Sequence, residues 1–206
     1  MRAVVVVEPE VTPSIYVGQR ELAVVSPADQ VEILGSDSAS TCLLVLLRHP
    51  ASGVAGLAHL DTVSEDSEDS LNNQLVQLLE ATSQRISCED LQLEVSLFGG
   101  YNDEAGLSRQ ISEMVLRTMQ TTEVTFILRH LCCGDVNTVA GLEGPRPAVW
   151  GGGADLRTGT VFTAEFTRRL PDIDMRSLRL YSSEQPQKKL GRIVLTSVSL
   201  YNFPLC

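Results

Sequence analysis

The sequence predicts an α+β domain built on a mixed sheet or sandwich, with helices on its outside. Two observations carry this reading. Short apolar or alternating runs of strand length recur along most of the chain, and only two segments keep apolar residues at helical spacing. No internal repeat and no linker interrupts the pattern, so residues 1–206 read as one domain.

The elements follow in order. Leu22–Val25 and Val31–Leu34 are apolar runs around Pro27–Asp29, which predicts a hairpin. Leu43–Arg48 and Val54–Leu60 form a second strand pair around Pro50-Ala51-Ser52-Gly53. Ser64–Ser70 is a polar, acidic stretch and reads as a loop. Leu71, Leu75, Leu78 and Leu79 recur at helical spacing. Leu91, Leu93, Val95 and Leu97 alternate with polar residues, the mark of a half-buried strand, and Gly99–Gly100 end it. Asn102 or Asp103 can cap a helix that carries Leu107, Ile111, Met114 and Val115 on one side. Further strands are expected at Val124–Leu131, Ala148–Asp155, Thr160–Phe166, Leu178–Tyr181 and Ile193–Leu200, before a short tail, Tyr201–Cys206.

Composition narrows the function classes. A chain of 206 residues buries roughly 70% of the surface its unfolded form exposes, so its core needs neither disulfide nor metal. The net charge of −10, without a basic run, argues against nucleic acid. It suits cationic groups such as a peptide α-ammonium. The apolar run Ala3–Val7 is too short and too close to Glu8 and Glu10 for a signal peptide. No apolar run reaches membrane-spanning length, so no membrane is expected and the reading is of a soluble, intracellular protein. The five cysteines, an odd number without framework spacing, read as reduced thiols.

The second strand pair holds the residues that could do chemistry. If Pro50–Gly53 is a four-residue hairpin loop, His49 pairs with Val54, Leu44 lies opposite His59 and Cys42 opposite Asp61. Cys42, His59 and Asp61 then share one face. A slip of one residue would send the two strands' sets to opposite faces, unless a bulge restored them. Imidazole can accept the thiol proton, then return it to a departing amine. Asp61, or the Ser36 hydroxyl, could fix the imidazole tautomer. The small, polar run Leu34–Thr41 leads into the strand and could aim backbone N–H groups, that of Cys42 first, at an oxyanion. The plain alternative is a packed core thiol beside a hydrogen-bonded core histidine.

Three segments carry a family resemblance. They are Gln19–Val24, Ile33–Asp37, and Ala39–Cys42 continued through Leu47-Arg48-His49. They resemble the protein N-terminal asparagine amidohydrolase family, whose nucleophile is the cysteine aligned with Cys42. The similarity continues through His59, Asp61, Phe98-Gly99-Gly100 and Leu107-Ser108, and runs more weakly to about Phe166. More distantly, the chemotaxis-receptor glutamine deamidases and cytotoxic necrotizing toxin catalytic domains share a cysteine–histidine pair at similar separation. In the chemotaxis enzymes a hydroxyl before the cysteine completes the set, a position that Ser36 would fill here. The resemblance implies a mixed β-sandwich flanked by helices, in α/β/β/α layers.

It also implies hydrolysis of the side-chain amide of an N-terminal asparagine to aspartate and ammonia, without metal or organic cofactor. The products would enter ubiquitin-dependent degradation after arginylation, in the cytoplasm and also the nucleus. The substrates would be proteins or peptides with a free N-terminal asparagine. Family members are longer at both ends. Asp37, Asp61 and Glu21 are the candidates for holding the α-ammonium, and Thr41 for shaping the substrate loop. Competing functions are deamidation of an internal glutamine or asparagine in a partner, a silent module that binds N-terminal asparagine, and a scaffold.

Elsewhere, His130 and Cys132 share a strand face with Val124, Phe126 and Leu128, which reads as core rather than zinc site. Gly151-Gly152-Gly153 lacks the lysine and helix of a phosphate loop, so a bulge or a close backbone crossing is expected. No role is assigned to Cys88 or Cys206.

Overall fold

Every residue from Leu43 to Leu47 is buried, although neighbours along a strand point to opposite faces. Such a strand must be covered on both sides. The computed structural model, which describes residues 4–8, 12–61, 67–87, 91–142, 144–167 and 199–202, shows how.

Strands β1 (Val5–Val7), β2 (Ser14–Tyr16), β3 (Glu21–Val25), β4 (Ile33–Ser36), β5 (Leu43–Arg48) and β6 (Ala55–Leu60) come first. Helix α1 (Ser67–Gln84), strand β7 (Gln92–Phe98) and helix α2 (Leu107–Thr121) follow. Then come β8 (Thr125–Cys132), β9 (Thr138–Gly141), β10 (Gly144–Pro147), β11 (Gly152–Asp155), β12 (Val161–Phe162), β13 (Ala164–Phe166) and β14 (Ser199–Asn202). A six-stranded mixed sheet runs β14-β3-β6-β5-β7-β8, and a four-stranded one runs β12-β11-β4-β2. Strands β1 and β13 pair in parallel, and β9 and β10 form a hairpin.

The β5 alternation divides the core. Leu43, Val45 and Leu47 join the apolar faces of both helices, including Leu75, Leu78, Ile111 and Val115. Leu44 and Leu46, with Cys42, face the second sheet, against Leu34 of β4 and Ala154 of β11. Each fully buried leucine contributes roughly 1.5–3 kcal/mol. The four leucines of α1 (Leu71, Leu75, Leu78 and Leu79), all buried, therefore hold it by packing rather than by intrinsic propensity.

The layers among the described residues are helix, sheet, sheet. Both helices lie on one face, and the fourth, helical layer implied by the resemblance has no counterpart among them. Three expectations change. The run around Pro27–Asp29 is no hairpin: β3 and β4 lie in different sheets, and a 3-10 turn carries the chain across. The crossing gives each short apolar run its own partner, β6 for β3 and β11 for β4. Ser67–Ser70 form the first turn of α1 instead of a loop, a composition that helix starts favour. The β9–β10 hairpin was not legible, because its strands carry too few apolar residues to alternate, and Ala148–Gly151 lie outside any strand. The expected strand Leu178–Tyr181, Cys88, Cys206, and the parts 64–66, 193–198 and 203–206 of other expected elements lie outside the described residues.

The predicted pairing at the second strand pair is the observed one. Strands β5 and β6 are antiparallel, with Leu43 opposite Leu60 and Leu44 opposite His59. The Gly151–Gly153 run is a close backbone crossing. A Cβ on Gly152 would strike the Phe98 ring, and one on Gly151 the Ala164 carbonyl.

Candidate active site

His59 faces the gap between the sheets because its register partner Leu44 does. Ser36, at the end of β4, comes to it from the opposite sheet, two residues beyond the inward-facing Leu34. The two meet at 2.9 Å, Ser36 Oγ to His59 Nδ1. Ser36 Oγ donates its single proton to the Val17 carbonyl at 2.6 Å. The contact with His59 must then run the other way, with Nδ1–H donating to Oγ. That sets the neutral imidazole as the Nδ1–H tautomer and leaves the lone pair on Nε2. Of the two groups that could orient His59, Ser36 does so.

Asp61 has another partner. Cys42 Sγ–H donates to its Oδ1 at 3.3 Å, and Gln19 Nε2–H donates to its Oδ2 at 2.7 Å. Gln19 Nε2 also lies 3.5 Å from the sulfur. Cys42 is 4% exposed. Burial, then the negative charge of Asp61 and its hydrogen bond, push the Cys42 thiol up to about 12, against smaller opposing contributions from Gln19 and the Cys42 backbone N–H. The resting sulfur is therefore a thiol, and a base must remove its proton before it can attack.

The loop before Cys42 is held from several sides. Asp37 accepts from the Tyr16 hydroxyl at 3.0 Å, the Ser38 hydroxyl at 3.1 Å and the Phe166 N–H at 2.8 Å. Ser38 takes a φ of 61°, a left-handed conformation that a non-glycine residue adopts only when its surroundings fix it. The Ala39 N–H donates to the Trp150 carbonyl at 2.8 Å. Ser108, at the start of α2, donates through Oγ to the Thr41 carbonyl at 3.1 Å. Asp103 caps that helix by accepting from the N–H groups of Leu107 and Ser108. Burial raises the Asp103 carboxyl, but those N–H groups more than offset it and hold it below the usual carboxylate range.

Gly99 and Gly100 have φ of 84° and 62°, and a Cβ on Gly99 would strike Ala39 and the Cys42 carbonyl. Only glycine lets β7 end against the loop that leads into Cys42. Asn137, 1% exposed, locks the far side. It donates to the carbonyls of Gly100 and Val149 and accepts the Val149 N–H.

The structure thus brings Ser36, Cys42, His59 and Asp61 to one end of the sandwich and sets Thr41 beside them. Asp37 and Glu21 have structural partners. Glu21 is 5% exposed and accepts the Gly18 N–H at 2.8 Å, which closes the turn that presents Gln19. Sequence reasoning missed Gln19, Ser108 and Asn137 as parts of the site. Gln19 sits in a turn and Asn137 in a 3-10 turn, where no periodicity signals a direction.

His130 meets Ser96 through Nδ1 at 3.0 Å and stacks on Phe98, as a structural histidine would. It is half-buried, not core, and Leu128 on the same strand is exposed. Among the described residues no cluster of histidine, cysteine, aspartate and glutamate could hold a metal ion. No described helix is long and apolar enough to cross a membrane.

Comparison with known proteins finds similarity along most of the chain. Residues 4–197 match the family model for protein N-terminal asparagine amidohydrolase. The chain is 32% identical over 187 residues to the protein N-terminal asparagine amidohydrolase of Homo sapiens, covering 86% of this chain and 59% of that one. It is 33% identical over 187 residues to that of Sus scrofa, covering 86% and 58%. Against that of Arabidopsis thaliana it is 27% identical over 199 residues, covering 88% and 55%. The chain thus spans between half and two thirds of the length of these relatives.

Proposed function

The chain belongs to the protein N-terminal asparagine amidohydrolase family, and from that premise we propose that it hydrolyses the side-chain amide of an N-terminal asparagine to aspartate and ammonia. The observation that carries the reading is the Ser36–His59 contact. It leaves Nε2 as a base on the sheet face that also bears Cys42.

The steps are those of a cysteine amidase. His59 Nε2 takes the Cys42 proton as sulfur attacks the carboxamide carbon. The oxygen of the tetrahedral adduct becomes an oxyanion, stabilised by the Cys42 backbone N–H. The carbon–nitrogen bond breaks, nitrogen takes the proton back from Nε2, and ammonia leaves behind a thioester. Water then gives a proton to His59 and its oxygen to the carbonyl carbon. The carbon–sulfur bond breaks, and the sulfur is reprotonated. One water is consumed and one ammonia released. Cys42 and Cys133, which are not disulfide-bonded, suit a reducing compartment, the cytoplasm and nucleus, where the product would enter ubiquitin-dependent degradation. The single-domain reading of residues 1–206 belongs to the same proposal.

The test is ammonia release, with mass spectrometry of the product, from a peptide beginning in asparagine. Peptides beginning in glutamine or in N-acetylasparagine serve as comparisons. Conversion of the free asparagine peptide alone is expected. Equal conversion of the acetylated peptide would instead indicate action on internal amides, and binding without ammonia release would indicate a silent module.

A smaller effect tests the positioning of His59. Ser36→Ala is expected to lower kcat roughly 10- to 100-fold with KM little changed, since the base loses its tautomer and aim but keeps its chemistry. Ser36→Thr, which restores the hydroxyl, is expected to recover part of the loss. An unchanged kcat in Ser36→Ala would remove Ser36 from the mechanism.

A further inference from the structure

Among the described residues Asp61 is the carboxylate recorded in contact with Cys42, and the contact recorded at His59 Nδ1 is with Ser36. It is half-buried, at the open end of β6. Its two oxygens divide their tasks: Oδ2 is held by Gln19 at 2.7 Å and Oδ1 meets the sulfur at 3.3 Å. Gln19 is itself fixed by the Gly18–Glu21 turn, in which the Arg20 N–H bonds to the His59 carbonyl at 2.9 Å. A carboxylate is a poor proton acceptor from a thiol compared with an imidazole, so proton abstraction gives Asp61 no purpose here.

Covalent geometry supplies one. In an N-terminal asparagine, three bonds separate the α-nitrogen from the side-chain amide carbon, so the two lie about 3–4 Å apart. When that carbon reaches the Cys42 sulfur, the α-ammonium must lie within a few ångströms of the same sulfur. Asp61 Oδ1, 3.3 Å from Sγ, occupies that neighbourhood. An ammonium placed there makes a charge-assisted hydrogen bond at a partly desolvated carboxylate. A glutamine would set its amide carbon one methylene further from the anchored nitrogen, and an acetyl group would remove the charge.

The same contact bears on the nucleophile. In the resting arrangement Asp61 accepts the thiol proton in a hydrogen bond and, with burial, disfavours the thiolate. An ammonium on Oδ1 would neutralise that charge and take over that lone pair. The thiol proton would then be released toward His59, whose Nδ1–H is held by Ser36 and whose lone pair lies on Nε2.

Building on the amidohydrolase reading, we infer that Asp61, steadied by Gln19, receives the substrate's α-ammonium and that this contact frees Cys42 to react. The free N-terminus is then both recognition element and trigger.

Two measurements on the folded full chain test this. The first is binding, by fluorescence anisotropy, of asparagine peptides with free or acetylated N-termini to Cys42→Ala, which cannot turn them over. Asp61→Asn in that background is expected to weaken the free peptide roughly 10- to 100-fold and to leave the acetylated one unchanged. Gln19→Ala, which removes only the steadying donor, is expected to lose several-fold. The second is the rate at which iodoacetamide alkylates Cys42 without peptide, read by mass spectrometry. Asp61→Asn is expected to raise it several-fold, because the restraining charge is gone. A merely structural Asp61 would not combine faster alkylation with lost selectivity. Retained preference for free N-termini in Asp61→Asn, or alkylation no faster than wild type, would overturn the inference. Absence of ammonia release by the wild type, alongside both expected changes, would overturn the amidohydrolase reading and leave the ammonium site standing.

Discussion

Cys42→Ala is expected to lower turnover of an asparagine-starting peptide by at least about 10⁴-fold, with little change in melting temperature. The chemical loss is large, because among the described residues Cys42 is the thiol recorded in contact with Asp61 and Gln19. The structural loss is small. The sulfur is buried, but its neighbours Leu44, Leu46, Phe98 and Leu34 keep the gap between the sheets filled. Cys42→Ser is expected to be nearly as inactive, since a hydroxyl is harder to ionise than a thiol and the site already resists ionisation through burial and Asp61. Cys133→Ala serves as the control. That thiol is also raised, to about 11, mainly by burial, yet it lies among the residues packed under the helices. Its removal is expected to leave turnover within about twofold of wild type. Ammonia release under single-turnover conditions, with mass spectrometry for a thioester, checks all three. Substantial turnover by Cys42→Ala would exclude Cys42 as nucleophile.

His59→Asn is expected to lower kcat/KM roughly 10²- to 10⁴-fold. The imidazole has two proton transfers to perform, from the thiol and to the leaving nitrogen, and Asn can perform neither. Ser36 would retain its bond to the Val17 carbonyl, so that strand end stays tied down. Ser36→Ala combined with His59→Asn is expected to be no worse than His59→Asn alone, because Ser36 acts through His59. Additive losses in the double variant would mean that Ser36 acts on the reaction by another route. Turnover by His59→Asn close to that of wild type would assign the base to a different residue.

The legible parts of the fold were those with local periodicity. Leu71, Leu75, Leu78 and Leu79 announced α1, and the alternation from Leu91 to Leu97 announced β7. Asp103 was readable as a cap because a carboxylate before an apolar helical stripe has few other uses. The β9–β10 hairpin was silent because Gly141, Gly144, Pro145 and Pro147 carry no strand signal. The Pro27–Asp29 crossing misled for a different reason. Two apolar runs joined by a turn look the same whether they pair with each other or pass to separate sheets.

The candidate site divides along the same line. By itself the sequence offered the β5–β6 register conditionally: a four-residue loop at Pro50–Gly53 implies it, while strands apolar on both faces do not exclude a slip of one residue, and the observed pairing is the one the loop implies. Leu44 opposite His59 and Cys42 level with Asp61 follow from it, and the resemblance at Leu34-Gly35-Ser36-Asp37 and Cys42 added the chemistry. Only the tertiary structure decided between Ser36 and Asp61. Ser36 reaches His59 from the other sheet, 23 positions away, and Gln19 reaches Asp61 from 42 positions away. The physical reason is that hydrogen-bonded register within one hairpin is a local property of the chain. The approach of two sheets is fixed by how their inner side chains fill a shared gap, and no spacing along one strand records which residue stands opposite on the other sheet.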